Sequence, residues 1–391
     1  MENVIQLDSL REVLDIYKNN PGIPLEISFV PGDQFLRGST GSIVGFHQLS
    51  EITEPKKEKL TNGEINITSV NLGGIGGYET FYGSERKNPI PVLRQKLIVD
   101  FYAWLEANSK ITDVICLQDF PVIQKIGNLQ PEFLERISRM GYEIFMIPFV
   151  FHETKSEDLG LRAESIAILI NRQLLSGVSV EKITLVPHFQ NQNHFHQNGD
   201  YLKWENYYNI DPINSTELKA KNPFWGQTLF LSLRTLSGRL ITIGTFYISP
   251  ASSAIDRRRT LKGSVEIAEK LSPVHFLCGD TNTYGIGIDT SEPLVRKPLI
   301  RSFPFKIGLL TLIGGLTKEG KSIPNLKEIR SLERVCNRLG TRLSVPEGHT
   351  LSKGPVKWLL DIGITNVRTS KTLTETVKFT DHKTVSWSLK I

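Results

Sequence analysis

Residues 274–282 read VHFLCGDTN, an apolar run that ends in an aspartate, a threonine and an asparagine. A short apolar run bounded by polar residues predicts a strand buried in a covered sheet. Because Asp and Asn commonly form the turn after a strand, Asp280 and Asn282 alone do not predict a site. The interpretation depends on how the other predicted strands end.

Strand-like and helix-like segments alternate on both sides of this stretch. Apolar residues at helical spacing predict helices over residues 92–107, 132–141 and 257–271. The predicted strands are 65–72, 113–120, 142–151, 164–171, a hairpin over 228–248 with its turn at Ser237-Gly238, 274–280, 357–366 and 384–391. Sheets packed face to face, with helices on their outer faces, would bury this pattern, so we predict an α/β fold.

The pattern divides the chain at residue 64. Residues 1–64 are predicted to be an N-terminal extension with one helix, which carries apolar residues at helical spacing near its start, and a charged linker at 54–59. Residues 65–391 are predicted to form one domain with insertions near 188–222 and 284–350.

The composition is that of an ordinary globular protein with a mild basic excess. The 391 residues carry a formal net charge of +5, which suits a polyanionic partner without specifying one. The three cysteines lack zinc-ligand spacing, so we expect reduced, packed thiols. The sequence shows neither a secretory signal nor a membrane-spanning apolar run, and we expect a cytoplasmic protein, with a monomer favoured.

Polar residues recur where the apolar strands end. Asn71 ends the first strand, and Asp119 and Tyr247 end later ones; Asp381-His382 precedes the last strand. If several strand ends converge on one edge, their carboxylate and amide oxygens are the hard ligands that Mg²⁺ prefers. The sequence therefore predicts a divalent-metal site.

Six motifs that contain these residues follow one another in a fixed order. They are SVNLGG around Asn71, DVICLQDF around Asp119, GTFYISP around Tyr247, CGDTN at 278–282, WLLDIGIT around Asp361 and TDHKTVSW around His382. Over residues 65–391 this order resembles the endonuclease/exonuclease/phosphatase (DNase-I-like) superfamily. The resemblance implies a four-layer α/β sandwich of two packed, mostly antiparallel sheets flanked by helices. It also implies metal-dependent hydrolysis of a phosphate ester.

The resemblance implies a metal site that binds Mg²⁺ or Mn²⁺. Asn71 matches the residue at the metal and phosphate, Asp119 the principal metal ligand, and Asp381 a further acid at the metal. The superfamily has glutamate at the position of Asp119. Aspartate keeps the charge but is one methylene shorter, so we expect metal binding to be retained and weaker.

The resemblance also implies the catalytic residues. Asp280 matches the aspartate that positions or deprotonates the attacking water, and Asn282 matches its partner on the phosphate. His382 matches the histidine at the scissile phosphate, and Asp361 the acid that holds its other ring nitrogen. Tyr247 stands where many members have histidine. The apurinic-endonuclease and retrotransposon-endonuclease branches also have tyrosine at this position, and this similarity favours DNA as the substrate.

Two further segments are candidates for substrate contact. Three arginines, Arg257-Arg258-Arg259, begin a predicted helix; at least one faces solvent, and Arg258 is a candidate to bind a substrate phosphate. The segment FKIGLLTLIGGL, residues 305–316, is either a buried helix or hairpin, or an apolar lip with basic flanks that touches a membrane surface.

These features lead to one leading function and two alternatives. The leading hypothesis is a metal-dependent phosphodiesterase that hydrolyses nucleic acid, with DNA slightly favoured. The first alternative is a phospholipid or inositol-phosphate hydrolase at a membrane surface, and the second is a catalytically inactive binding module with the same fold. The sequence gives neither base preference nor endo- versus exonucleolytic action.

Overall fold

Two large β-sheets form the centre of the protein in this computed structural model. The structure describes residues 23–30, 33–39, 41, 43–51, 63–72, 90–123, 129–153, 161–172, 178–189, 224–235, 237–248, 254–282, 326–347, 349–353, 356–380 and 382–391. The predicted helix near residue 10, the linker at 54–59, the segment 305–316 and Asp381 lie outside these ranges, as does most of both predicted insertions.

The described strands are numbered here in chain order. They are β1 (Leu25–Ile27), β2 (Phe35–Arg37), β3 (Ile43–Gln48), β4 (Glu64–Asn71), β5 (Val114–Ile123), β6 (Tyr142–Glu153), β7 (Leu161–Asn171), β8 (Ser179–Phe189), β9 (Phe224–Arg234), β10 (Leu240–Ile248), β11 (Val274–Asp280), β12 (Arg342–Ser344), β13 (Leu351–Lys353), β14 (Val356–Trp358), β15 (Asp361–Thr365), β16 (Thr369–Thr376) and β17 (Lys383–Lys390). The described helices are α1 (Ile90–Asn108), α2 (Leu129–Arg139), α3 (Ala254–Leu271) and α4 (Leu326–Arg338).

Both large sheets are mostly antiparallel, as predicted. Sheet A has the order β1-β8-β9-β10-β11-β15-β12, and sheet B has the order β16-β17-β4-β5-β7-β6-β3-β2. In the described pairings, only β10 with β11 and β4 with β5 are parallel. Since parallel neighbours end at the same edge of a sheet, β10 and β11 bring their last residues together, and so do β4 and β5.

Apolar clusters show how the layers stack. Between the sheets, residues of sheet B such as Ile67 and Cys116 pack with residues of sheet A such as Ile243 and Phe276. On the outer face of sheet B the cluster contains residues of α1 and α2. A third cluster, on the outer face of sheet A, contains residues of α3 and α4. The predicted four-layer α/β sandwich is therefore confirmed.

The environment of strand β11 explains why its sequence is continuously apolar. All seven of its residues are buried, because it lies between neighbours in the sheet and is covered on both faces. Phe276 and Cys278 face sheet B, and Leu277, with opposite orientation, faces the helices. By the same alternation the Asp280 side chain points into the space between the sheets.

Three strands lie in the described part of residues 1–64, where none was predicted. β1 pairs with β8 in sheet A, and β3 pairs with β6 in sheet B. A buried hydrogen bond of 2.6 Å between His47 Nε2 and Glu143 Oε1 also fastens β3 to β6. These strands are short and lie among glycine and proline, so the sequence carried little periodic signal for them.

The predicted strand at 357–366 is wrong as a single element. It is two strands, β14 and β15, and β14 pairs with β13 in a separate two-stranded sheet. Where the two strands meet, the backbone N–H groups of Leu360 and of Asp361, the first residue of β15, donate to Thr350 Oγ1. A threonine ten residues away in sequence thus interrupts the ladder.

The thiols behave as predicted: Cys116, Cys278 and Cys336 are buried and free. None of the described helices has the length and apolar character needed to cross a bilayer.

Candidate functional site

The two sheets meet through a hydrogen bond between strand ends. β4 ends at Asn71 and β11 ends at Asp280, and both side chains project between the sheets. Asn71 Nδ2 donates to Asp280 Oδ2 at 2.8 Å, with both residues buried. The predicted convergence of these strand ends is therefore present in the fold.

The carboxyl of Asp280 has a strongly shifted pKa. Burial raises its pKa to about 7, and the nearby charge of Asp361 adds to the increase. The positive charge of His382 acts against this, as do the hydrogen bonds from the Asn282 backbone and from Asn71. A strongly shifted acid among specific polar partners is typical of a functional site.

Asn282 caps the end of β11 in a conformation that suits asparagine. Its φ is 48°, a left-handed value that asparagine adopts more readily than most residues. Its backbone N–H donates to Asp280 Oδ1 at 2.7 Å, and its side-chain Nδ2 donates to the carbonyl of Ile248 at 2.8 Å. The turn is thereby tied to the end of β10.

Asp361 and His382 form the second half of the site. Asp361 pairs with Asp280 in the register of β11 and β15. Its Oδ2 lies 2.9 Å from His382 Nδ1, so the hydrogen bond assigns the ring proton to Nδ1 when the imidazole is neutral. The His382 backbone N–H donates to Thr380 Oγ1, which fixes the start of the last strand.

These residues are close enough to share a cation. One ligand atom from each of Asp280, Asp361 and His382 lies within 4.8 Å of the others, and all three residues are buried. Asp361 Oδ1 is also buried and accepts no hydrogen bond from the described part of the chain. Two carboxylates, one with an unused oxygen, and an imidazole fit a divalent cation such as Mg²⁺ or Mn²⁺.

The predicted metal ligands are only partly located. Asn71 lies in the cluster through its bond to Asp280. Asp119 directly follows Gln118, the register partner of Asn71, in the irregular segment of β5 between Leu117 and Phe120. Its φ of 52° is left-handed. The structure thus places Asp119 at the same sheet edge, and its role as a ligand stays a prediction; Asp381 lies outside the described residues.

Tyr247 and Arg258 lie on different faces of sheet A. Tyr247 is the register partner of Asp280 and packs, partly buried, against the core between the sheets. Arg258 lies on α3 in the outer layer, where its guanidinium donates to Ser331 Oγ at 3.1 Å. Its neighbour Arg257 is buried in an ion pair with Glu328. The roles predicted for Tyr247 and Arg258 stay predictions.

Sequence reasoning missed the polar residues that support the cluster. Gln118 crosses the gap between the sheets, donating to Thr245 Oγ1 at 2.8 Å and accepting from Ser69 Oγ. Thr350 accepts two backbone N–H bonds at the start of β15, and Thr281 Oγ1 donates to the Leu360 carbonyl. Their partners are distant in sequence, so no local pattern could identify them.

A four-layer sandwich with an Asp/Asn/His cluster at the edge of both sheets is the architecture predicted for this chain. Among solved structures, this chain is similar to ANGEL2, a 2',3'-cyclic phosphatase. The two are 12% identical, the match covers 89% of this chain and 98% of that chain, and the TM-score is 0.46. This chain is also similar to an endonuclease/exonuclease/phosphatase family protein from Leptotrichia buccalis at 10% identity, with 84% and 100% covered and a TM-score of 0.44.

A further similar structure is the magnesium-bound beta toxin of Staphylococcus aureus, at 10% identity, with 83% of this chain and 99% of that chain covered and a TM-score of 0.40. No protein-family model matches the sequence, and no curated protein matches it either. Likenesses at this level of identity do not extend to substrate.

Proposed function

We propose that this protein is a divalent-metal-dependent hydrolase of phosphate esters, and that its substrate is nucleic acid, with DNA favoured. The observation that carries the proposal is the Asn71–Asp280 hydrogen bond, which joins strand ends of both sheets beside the Asp361–His382 pair. Four separate strand ends contribute polar side chains to one buried point. A chain that had kept only the fold would have no need to bury this group of polar residues together.

The donor set supports the choice of metal. Carboxylate and amide oxygens favour Mg²⁺ or Mn²⁺, and Asp280 and Asp361, with Asn71 and Asp119 at the same edge, would hold the ion. When bound, the ion supplies charge stabilisation at a phosphoryl oxygen and activation of a water molecule.

The remaining residues have roles that follow from their positions. Asp280 and Asn282 would hold the attacking water in line with the phosphorus, because the turn fixes both against β10. His382, held through Nδ1 by Asp361, would direct Nε2 to the phosphoryl oxygen that gains charge. Tyr247 would contact the same phosphate from the end of β10.

A substrate screen tests this proposal. The protein is incubated with plasmid DNA, RNA, phosphoinositide and sphingomyelin, each with Mg²⁺ or Mn²⁺ and each with EDTA. We expect metal-dependent cleavage of nucleic acid, and loss of that cleavage in Asp280→Asn. Glu106→Gln, which alters an exposed acid on α1, is the matched control and should keep full activity.

The possible outcomes separate the alternatives. Cleavage of a lipid substrate without cleavage of nucleic acid would replace the proposed substrate by the phospholipid or inositol-phosphate alternative. No metal-dependent cleavage of any of the four, by a protein that melts cooperatively, would favour the inactive binding module.

A further inference from the structure

A groove with a strongly basic lining runs between α3 and α4. It has a volume of about 450 Å³ and lies in the outer helical layer, apart from the Asp280 cluster. The cationic side chains that line it come from both helices: Arg258, Arg259, Lys262, Arg334 and Arg338. Ser331 and Val335 complete the lining.

The charges of this groove are poorly compensated by the protein itself. No acidic residue of the described chain lines the groove. Lys262 has a carboxylate 3.5 Å away on Glu266, Arg258 donates to the neutral Ser331, and Arg334 donates to a backbone carbonyl. Like charges one helical turn apart, as at Arg258 and Lys262 or at Arg334 and Arg338, destabilise a helix.

An adjacent ion pair makes the contrast clear. Arg257 on α3 and Glu328 on α4 form a buried pair with an Nε–Oε1 distance of 2.7 Å, which holds the two helices together. The contact between the helices therefore has its own buried ion pair, to which Arg258 adds one hydrogen bond with Ser331. Arg259, Arg334 and Arg338 are exposed and project where a ligand can reach them.

The groove begins on the side of the fold where the candidate site lies. α3 starts shortly after β10, whose last residue Ile248 accepts the Asn282 hydrogen bond. Arg258 and Arg259 are in the first two turns of α3. From Ser331 to Arg338 the groove follows α4 for about 10 Å, a length that reaches more than one backbone phosphate of a single strand.

We propose that this groove binds the backbone phosphates of a nucleic-acid strand at a point away from the phosphodiester that is cleaved. The inference rests on the proposed function, because it assigns a second contact for the same substrate. Arginine forks bind phosphate oxygens in pairs, and four of the five cations are arginine. Val335 is the one apolar residue that lines the groove in the described chain, and five cationic side chains surround it, which favours a polyanionic ligand over an acyl chain.

The test measures binding without hydrolysis. A short fluorescein-labelled DNA duplex is titrated with metal-free full-length protein, and fluorescence anisotropy is followed over a range of salt concentrations. The variant is the double charge reversal Arg334→Glu with Arg338→Glu, at two exposed positions. The control is Lys110→Glu with Lys371→Glu, which makes the same change in net charge at exposed positions outside the groove.

We expect the groove variant to weaken binding by at least about tenfold and to reduce the slope of log Kd against log salt by about two. The control pair should stay within about twofold of the unaltered protein, because its charges act only at long range. The double variant Arg334→Gln with Arg338→Gln should lose less affinity for the duplex than the charge reversal does. This milder variant keeps the test valid if the charge reversal disturbs folding.

Equal weakening in the groove and control variants would overturn the proposal, since it would show a response to net charge alone. Unchanged duplex binding in the groove variants would also overturn it, as would loss of binding to phosphoinositide vesicles with no loss of binding to the duplex. None of these readings depends on cleavage, so they are independent of whether the hydrolase assignment succeeds.

Discussion

The side-chain amide of Asn71 donates a 2.8 Å hydrogen bond to Oδ2 of Asp280, and the two residues belong to different sheets. The bond favours the charged form of Asp280, whereas burial, the larger effect, favours the neutral form. It also fixes the distance between the ends of β4 and β11. The geometry of the candidate site therefore depends on how the two sheets pack.

The first prediction concerns the Asp361–His382 pair. Asp361→Asn should lower kcat by at least about a hundredfold, because an amide can donate to Nδ1 and so favour the other ring tautomer. KM should change much less. Steady-state kinetics measure both values, and the nitrogen chemical shifts of His382 report the tautomer. An unchanged kcat together with a changed tautomer would remove His382 from the proposed chemistry.

The second prediction concerns the close approach of β10 and β11. A Cβ atom at Gly279 would lie 1.9 Å from the carbonyl oxygen of Phe246, so Gly279→Ala must separate the strands. We expect a loss of at least about 2 kcal/mol in the free energy of unfolding. Urea denaturation followed by circular dichroism measures this loss.

Gly263 provides the matched control for that change. It lies within α3, and a Cβ there meets no atom within 4 Å among the described residues. Gly263→Ala should therefore raise the free energy of unfolding by up to about 1 kcal/mol. If both alanine variants had the same effect, the strand contact at Gly279 would not be the cause.

The third prediction concerns pH and His275. This histidine is buried in β11, and burial lowers its pKa from 6.5 to about 4, although a hydrogen bond with the Ser272 backbone acts in the opposite direction. The folded state thus binds its proton less readily than the unfolded state. The contribution that the neutral His275 makes to the free energy of unfolding is therefore complete above pH 6.5. This contribution is lost as the pH falls towards 4.

His275→Leu should remove this part of the acid sensitivity. The stability difference between the variant and the unaltered protein should grow in favour of the variant from pH 6.5 to pH 4, by at most about 3 kcal/mol. Urea denaturation at a series of pH values gives this difference. A difference that does not vary with pH would show that His275 is not protonated on unfolding.

The fourth prediction concerns the buried network that joins β3 to β6 within sheet B. Glu143 accepts from both His47 and Arg172, and its side chain is 3% exposed. Glu143→Gln should lower the free energy of unfolding by about 3 kcal/mol, because it leaves the buried charge of Arg172 without its carboxylate partner.

Glu135 serves as the comparison for Glu143. It pairs with Arg139 on the surface of α2, where its side chain is 47% exposed. Glu135→Gln should cost less than about 1 kcal/mol, because water screens an exposed pair. Thermal melting of the two variants measures this difference. Equal melting temperatures for Glu143→Gln and Glu135→Gln would contradict the prediction.

The sequence predicted the layers of this fold because its main strands carry strong apolar runs. The strand at 274–280 and the helix at 92–107 need no distant partner to be recognised, and both appear close to the predicted bounds. Strands β1 to β3 are short, and their stability comes from pairing with β8 and β6, so their own sequence predicts little.

The site was predictable to the extent that its residues lie at the ends of strands. Asn71, Asp280 and Asn282 follow apolar runs, Asp361 begins β15 and His382 precedes β17, and the hydrogen bonds show that they converge. Gln118 and Thr350 were not predictable, since each acts on partners that only the folded chain brings near. The tight helix pairing that forms the basic groove likewise depends on α4, which follows a long stretch without a clear pattern.

The most direct test of the central claim is hydrolysis of the small phosphodiester bis(p-nitrophenyl) phosphate with Mg²⁺ or Mn²⁺, compared between the unaltered protein and Asp280→Asn. The account predicts hydrolysis that EDTA abolishes and that Asp280→Asn reduces by about a thousandfold, with the fold retained. Equal, EDTA-resistant rates for the two proteins would contradict it.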